Sequence, residues 1–230
     1  MDMMQLVDGP SAAIVGGGTL LATLLRAGFG DCRVTLIKLG QLGRSPFDAQ
    51  AARAELGAQI QEIRKDGLLR AVPHRYGDSE FDEATEALIG NRSVAALVKA
   101  HEKHKARRLA EAERAVRTLA QAAELAPVFG LAGTLVSLSQ LPAEGLAQGA
   151  LGGAISMAVL TTLYGLLAAN LLLAPLSRMV ERAAQREERQ RQELIDWLAW
   201  QVADACPTAA RPERPLRPER PAAAPLAEAS

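Results

Sequence analysis

Lysine and arginine are missing from residues 1–25 and again from 118–177, although the chain carries 26 of them. Between Glu144 and Arg178 there is no charge of either sign. A bilayer crossing needs roughly 20 apolar residues, so a gap of this length admits a short loop plus one full span. Aromatic residues make up only 3% of the chain and cysteine occurs twice, at Cys32 and Cys206. A composition that is about half apolar, nearly neutral and poor in aromatics fits a helical membrane protein or an alanine-rich soluble one. The uneven distribution of charge decides for the membrane protein.

Three charge-free runs test as spans: Gly9 to Leu25, Leu125 to Ala143, and the later part of Gly145 to Ser177. The first ends at Arg26, whose long side chain can snorkel to the interface. A cleaved signal peptide is the rival reading, but such peptides open with a basic segment, and only Asp2 and Asp8 precede this run. Basic residues mark cytoplasmic segments, which sets the expected topology. Residues 1–8 are placed in the periplasm, followed by membrane helix 9–28 and a helical cytoplasmic domain over 29–124. Membrane helices 125–141 and 153–176 flank an outer loop at 142–152. A cytoplasmic helix over 177–205 and a tail over 206–230 complete the chain. The expected fold class is therefore all-α: a polytopic membrane protein with three transmembrane helices and a helical cytoplasmic domain. Both cysteines then face a reducing compartment and are expected as unpaired thiols.

Within the cytoplasmic part, Leu56, Ile60 and Ile63 fall at helical spacing, and Leu109, Ala112, Val116, Leu119 and Ala123 form one apolar stripe. That stripe leads into Leu125 without a turn residue, so one long helix is expected to emerge from the bilayer past Pro127. The run Val72 to Asp78 carries the Pro, Gly and Asp of a turn. Charges of both signs over Lys99 to Arg117 read as a solvated helix face, or else as a docking surface. Trp197 and Trp200 are suited either to the lipid interface or to packing on neighbouring helices. Arg-Pro-Glu-Arg-Pro occurs at 211–215 and 217–221, in a tail too rich in Pro and Ala to fold.

Enzyme signatures do not emerge. His101 and His104 stand at i and i+3, but no Cys or carboxylate cluster completes a metal site. The run Gly16-Gly17-Gly18-Thr19 lacks the preceding strand and following Lys of a phosphate loop. Close helix packing explains it better. Neither a cofactor nor a nucleic-acid partner is expected.

Two segments carry a signature: Ala126-Pro127-Val128-Phe129-Gly130-Leu131-Ala132-Gly133-Thr134, and Leu160-Thr161-Thr162-Leu163-Tyr164-Gly165 through Asn170 to Ala174-Pro175-Leu176. They resemble the MotA/TolQ/ExbB proton channel family, and its MotA branch most. Ile14-Val15-Gly16-Gly17-Gly18-Thr19-Leu20 is similar to the second membrane helix of that branch, and Ile63-Arg64-Lys65-Asp66-Gly67-Leu68-Leu69 to its cytoplasmic segment.

The resemblance implies a ring of channel subunits, pentameric in the family, around a MotB-like or ExbD-like single-span partner whose membrane Asp takes up and releases the ion. On this basis Thr134 and Thr162, with Thr161 adjoining, match the hydroxyls of the ion path. Pro127 and Pro175 match the coupling prolines, and Arg64 a contact to a flagellar rotor protein or partner. Gly130, Gly133, Tyr164, Gly165 and Asn170 are read as helix-packing positions. The implied location is the bacterial inner membrane. Three departures stand beside this. The chain starts at the counterpart of the second MotA helix, which gives the three-span layout of TolQ and ExbB. Met157 occupies the position of an ExbB-branch Glu, and Val72 that of a rotor-facing Glu. A TolQ/ExbB-like energiser, or a scaffold that conducts no ion, are the alternatives; protons are favoured over sodium.

Overall fold

A computed structural model of the chain describes residues 8–43, 47–66, 78–141 and 148–203. In chain order its elements are α1 (Gly9–Leu42), α2 (Ala49–Asp66), α3 (Ser79–Asn91), α4 (Val94–Ser139), α5 (Gln148–Leu167), a π-helical segment (Ala168–Leu173) and α6 (Ala174–Val202). No strand occurs among the described residues, so the fold is all-α as expected. Three helical runs are long and apolar enough to cross a membrane: Gly9–Leu42, Val94–Ser139 and the continuous Leu151–Val202. The turn at 72–77, the outer loop over 142–147 and the tail from Cys206 lie outside the described residues.

Aspartate starts three of these helices. Asp8 accepts from the Ser11 backbone N–H at 2.9 Å, Asp48 from those of Gln50 and Ala51 at 3.0 Å each, and Asp78 from that of Glu80 at 3.0 Å. Each carboxylate satisfies a donor that the first helical turn leaves without a carbonyl, and its charge complements the helix dipole. α1 also has Pro10 in its first turn, where a missing N–H costs nothing. α3 ends on Arg92, which takes a left-handed conformation at φ 51°.

α1 is not one straight rod. Gly28 sits inside it at φ 83°, ψ 162°, which is not helical. Only glycine enters that region without strain, because any Cβ collides with the neighbouring carbonyl.

The chain folds as two compact units. The first comprises Met1–Phe47 and Lys105–Glu188. Its core gathers Ala115 and Leu119 of α4 with Val180 of α6, and Leu39, Leu42, Val116, Leu173 and Leu176 pack against them. The buried line on α4 runs through Ala112, Ala115, Leu119, Ala122 and Ala126, whereas Leu109, the first residue of the expected stripe, is 39% exposed. Alanine decides this, since small side chains let neighbouring helices come closest along that line. Lys38 reaches Glu111 at 3.1 Å, and Arg108 grips Glu188 through Nε and Nη2 at 3.1 and 2.7 Å. Charges that read as a solvated face are thus partly spent on joining helices.

The second unit comprises Asp48–His104 and Arg189–Ser230. It buries Leu56 and Ile60 of α2, Phe81, Ala84 and Leu88 of α3, Val94 and Leu97 at the start of α4, and Ile195, Leu198 and Val202 of α6. Arg191 joins α6 to α3, with Asp78 at 2.8 Å, Glu80 at 3.6 Å and the Phe81 ring 5.4 Å below its guanidinium. Trp197 takes Arg53 of α2 over its ring at 4.7 Å, so of its two expected settings it occupies the one among helices.

Candidate ion path in the packed membrane helices

α4 and α5 touch backbone to backbone. A Cβ added to Gly165 would stand 2.7 Å from the Ala126 carbonyl oxygen and 3.1 Å from the Gly130 Cα. One at Gly130 would meet the Thr161 carbonyl oxygen at 3.0 Å, and one at Gly133 the Thr161 Cγ2 at 2.7 Å. Small residues at such crossings are what allow apolar helices to gain dispersion energy without a water-driven term. Gly130, Gly133 and Gly165 therefore stand at one contact.

That contact sorts the hydroxyls. Thr161 is fully buried against Gly133, and its Oγ1 donates to the Ala158 carbonyl at 3.0 Å. Thr162 is half-buried and donates to the same carbonyl at 3.1 Å, while Thr134, also half-buried, donates to Leu131 at 2.6 Å. Bonds of this kind satisfy the proton within the helix and leave the oxygen lone pairs directed outward. Thr134 and Thr162 can therefore accept from a water or ligate a small cation, whereas Thr161 packs.

The two prolines act on the backbone differently. α4 runs on through Pro127, whereas Pro175 is the second residue of α6, one residue past the end of the π-helical segment. There the Ala174 N–H bonds to Ala169, five residues back. Proline has no N–H for the carbonyl four residues earlier and its ring crowds that carbonyl, so a wider turn upstream relieves the clash. Asn170 lies inside the segment, exposed, with its amide donating to the Leu166 carbonyl at 3.0 Å.

A family model matches residues 74–193, and its description is the MotA/TolQ/ExbB proton channel family. The chain belongs to this family. It is 27% identical over 197 residues to Motility protein A of Cereibacter sphaeroides, covering 84% of this chain and 76% of that one. Among solved structures, MotAB of C. jejuni superposes with a TM-score of 0.75 at 15% identity, over 90% of this chain and 82% of that one. The flagellar MotAB stator complex of Bacillus subtilis gives 0.70 at 18% identity, over 86% and 79%.

In this MotA/TolQ/ExbB member the matched region takes in α3, α4, α5 and most of α6, and with them every hydroxyl and proline of the candidate path. Arg64 lies in α2, with its side chain outside the described residues. Tyr164, read as a packing residue, ties α5 to the start of α1: the Asp8 backbone N–H donates to its hydroxyl at 3.0 Å. Of the glycine run on α1, only Gly18 is pressed, lying against the Phe129 ring of α4, while Gly16 and Gly17 face open space. Sequence reasoning missed the π-helical segment and the Asp8–Tyr164 tie. The first was signalled by Pro175, and the second had no local signal, because the two residues are 156 positions apart.

His101 and His104 join a hydrogen-bonded network. His104 Nε2 lies 2.7 Å from Glu83 and Nδ1 3.7 Å from Glu80, and His101 faces Gln192 at 3.3 Å. Lys103, then His104, hold the Glu83 carboxyl below its ordinary value. Among the described residues no group of three His, Cys, Asp or Glu side chains is placed to hold a metal.

Proposed function

We propose that this chain is the MotA-like channel subunit of a flagellar stator in the bacterial inner membrane. One observation carries the proposal: the membrane parts of α4 and α5 present hydroxyls yet hold no Asp, Glu, Lys, Arg or His over residues 125–143 and 145–177. A hydroxyl does not titrate near neutral pH, so proton uptake and release must use a carboxylate from another chain. A MotB-like single-span partner with a membrane Asp meets that need, and the names of the relatives favour a motility role over a TolQ/ExbB-like one. Thr134 and Thr162 are assigned to the path beside that Asp, with protons as the ion. Pro127 and Pro175 are assigned to coupling, and Arg64 to contact with a rotor protein. The assembly is a ring, pentameric by family resemblance.

The topology places residues 1–8 in the periplasm and the C-terminus in the cytoplasm. Two features support it: Lys and Arg are confined to 26–117 and 178–220, and α1 breaks at Gly28, just past Arg26.

Thr162→Val tests the path. The variant keeps size and apolar packing, so it should assemble and retain its partner while ion-driven swimming stops. Normal swimming would remove Thr162 from the path, and loss of assembly would point to a scaffold.

A further inference from the structure

The α4 residues that hold α5 and α6 share one face of that helix. At about 100° per residue, Arg108, Ala115, Leu119, Gly130 and Gly133 all fall within about 40° of Ala126. The C-terminal part of this stripe takes α5: Gly165 lies against Ala126 and Gly130, and Thr161 against Gly133. The N-terminal part takes α6. There Val180 packs with Ala115 and Leu119, Arg108 grips Glu188, and Ser177 donates to the Val116 carbonyl at 3.3 Å.

A plain α-helix over 161–188 could not meet both parts of the stripe. Counted from Gly165, Thr161 lies about 40° away, but Val180, Ser177 and Glu188 would lie about 60°, 120° and 140° round the helix. With one residue taken out of the count, all three return to within about 40° of Gly165. The π-helical segment at Ala168–Leu173 takes up that residue, because a turn closed by a bond five residues back, as from the Ala174 N–H to Ala169, holds one residue more than an α-turn. Pro175 alone does not require the widening, since α4 stays α-helical through Pro127. The proline fixes where the helix widens, and the stripe on α4 supplies the reason.

We propose that the π-helical segment is a one-residue phase corrector: it seats α5 and α6 on a single stripe of α4, and so decides that Thr162 rather than Thr161 is the hydroxyl left off the contact. If the same residues formed α-turns, α5 would have to rotate by about 100° to follow α6. Leu166 would then stand where Gly165 meets the Ala126 carbonyl, Thr162 would be pressed onto Gly133, and Leu163 would replace Thr162. The consequence for the ion path rests on the function proposed above. The phase relation does not, because it is built from packing contacts alone.

Two length variants of the full chain in lipid nanodiscs test this. Deleting Leu171, 68% exposed within the segment, removes the surplus residue, so the helix can run on as α through Pro175 with both contacts in phase. Inserting one alanine after Leu171 adds a second surplus residue that the turn does not hold. The deletion should melt within about 4 °C of wild type and the insertion at least about 8 °C lower. A deletion that melts as low as the insertion overturns the proposal, and so does an insertion that melts like wild type, which would make the segment mere slack. The second readout is the facing of α5, in chains with Cys32 and Cys206 replaced by alanine. A thiol packed on Gly133 is shielded, so Thr162→Cys should react with N-ethylmaleimide at least about fivefold faster than Thr161→Cys. The deletion should keep that order, and a reversed order in it overturns the proposal. Neither readout involves ion flow, so a failed Thr162→Val test of the path leaves both unchanged.

Discussion

Two neighbouring threonines, Thr161 and Thr162, show how much depends on one residue step. Their chemistry is identical, yet 100° of helix rotation puts the first against Gly133 and leaves the second half-buried. The sequence places both on α5 but contains nothing that chooses between them. The same contact makes Gly165→Ala damaging: a methyl 2.7 Å from the Ala126 carbonyl must push two backbones apart, at a cost of about 1–3 kcal/mol. Gly16→Ala, with open space around it, should be close to neutral. Thermal unfolding of the two purified variants makes the comparison. Glu83 gives a prediction in pH. Lys103 and His104 hold its carboxyl below 4.5, so the pairing stabilises the fold above that value and is lost as pH falls through the lower folded-state value. The stability difference between wild type and Glu83→Gln should therefore be widest near neutral pH and shrink in acid. Melting curves across that range check it, and a difference that grows in acid would reverse the assignment.

At the level of elements, helix starts are the most legible feature and helix interruptions the least. Asp8, Asp48 and Asp78 each stand just before a helix and cap it, a relation that needs no distant residue. The continuity of α4 through Pro127 also follows from a local fact, the lack of any turn residue between Leu109 and Leu125. The π-helical segment is different. Pro175 demands that a backbone bond be given up, but whether the helix kinks, ends or widens depends on what its neighbours allow, and here it widens. The break in α1 is likewise tied to one residue. Gly28→Ala forces a side chain into a conformation that costs about 1–3 kcal/mol. The variant should either unfold at lower temperature or straighten α1, and thermal unfolding together with spin-label distances across residue 28 distinguishes these from no effect, which would mean the break is dispensable.

For the molecule as a whole, the decisive prediction concerns what the chain cannot do alone. With no titrating group at membrane depth on α4 or α5, vesicles containing only this chain should pass no protons, and supplying a partner with a membrane carboxylate should restore a flux read by an internal pH dye. Proton flux through the chain alone would contradict the need for a partner. The apolar runs, the charge gaps and the family-specific order of Thr, Gly and Pro are properties of composition along the chain. They determined by themselves that this is an all-α membrane protein with three spanning helices, and they pointed to its family. The buried line of alanines on α4, the separation of Thr161 from Thr162 and the Asp8–Tyr164 tie were decided only by tertiary structure. The physical reason is that helical periodicity fixes which residues share a face, whereas which face is buried depends on how closely another helix can approach. Here glycine and alanine on separate segments set that approach together.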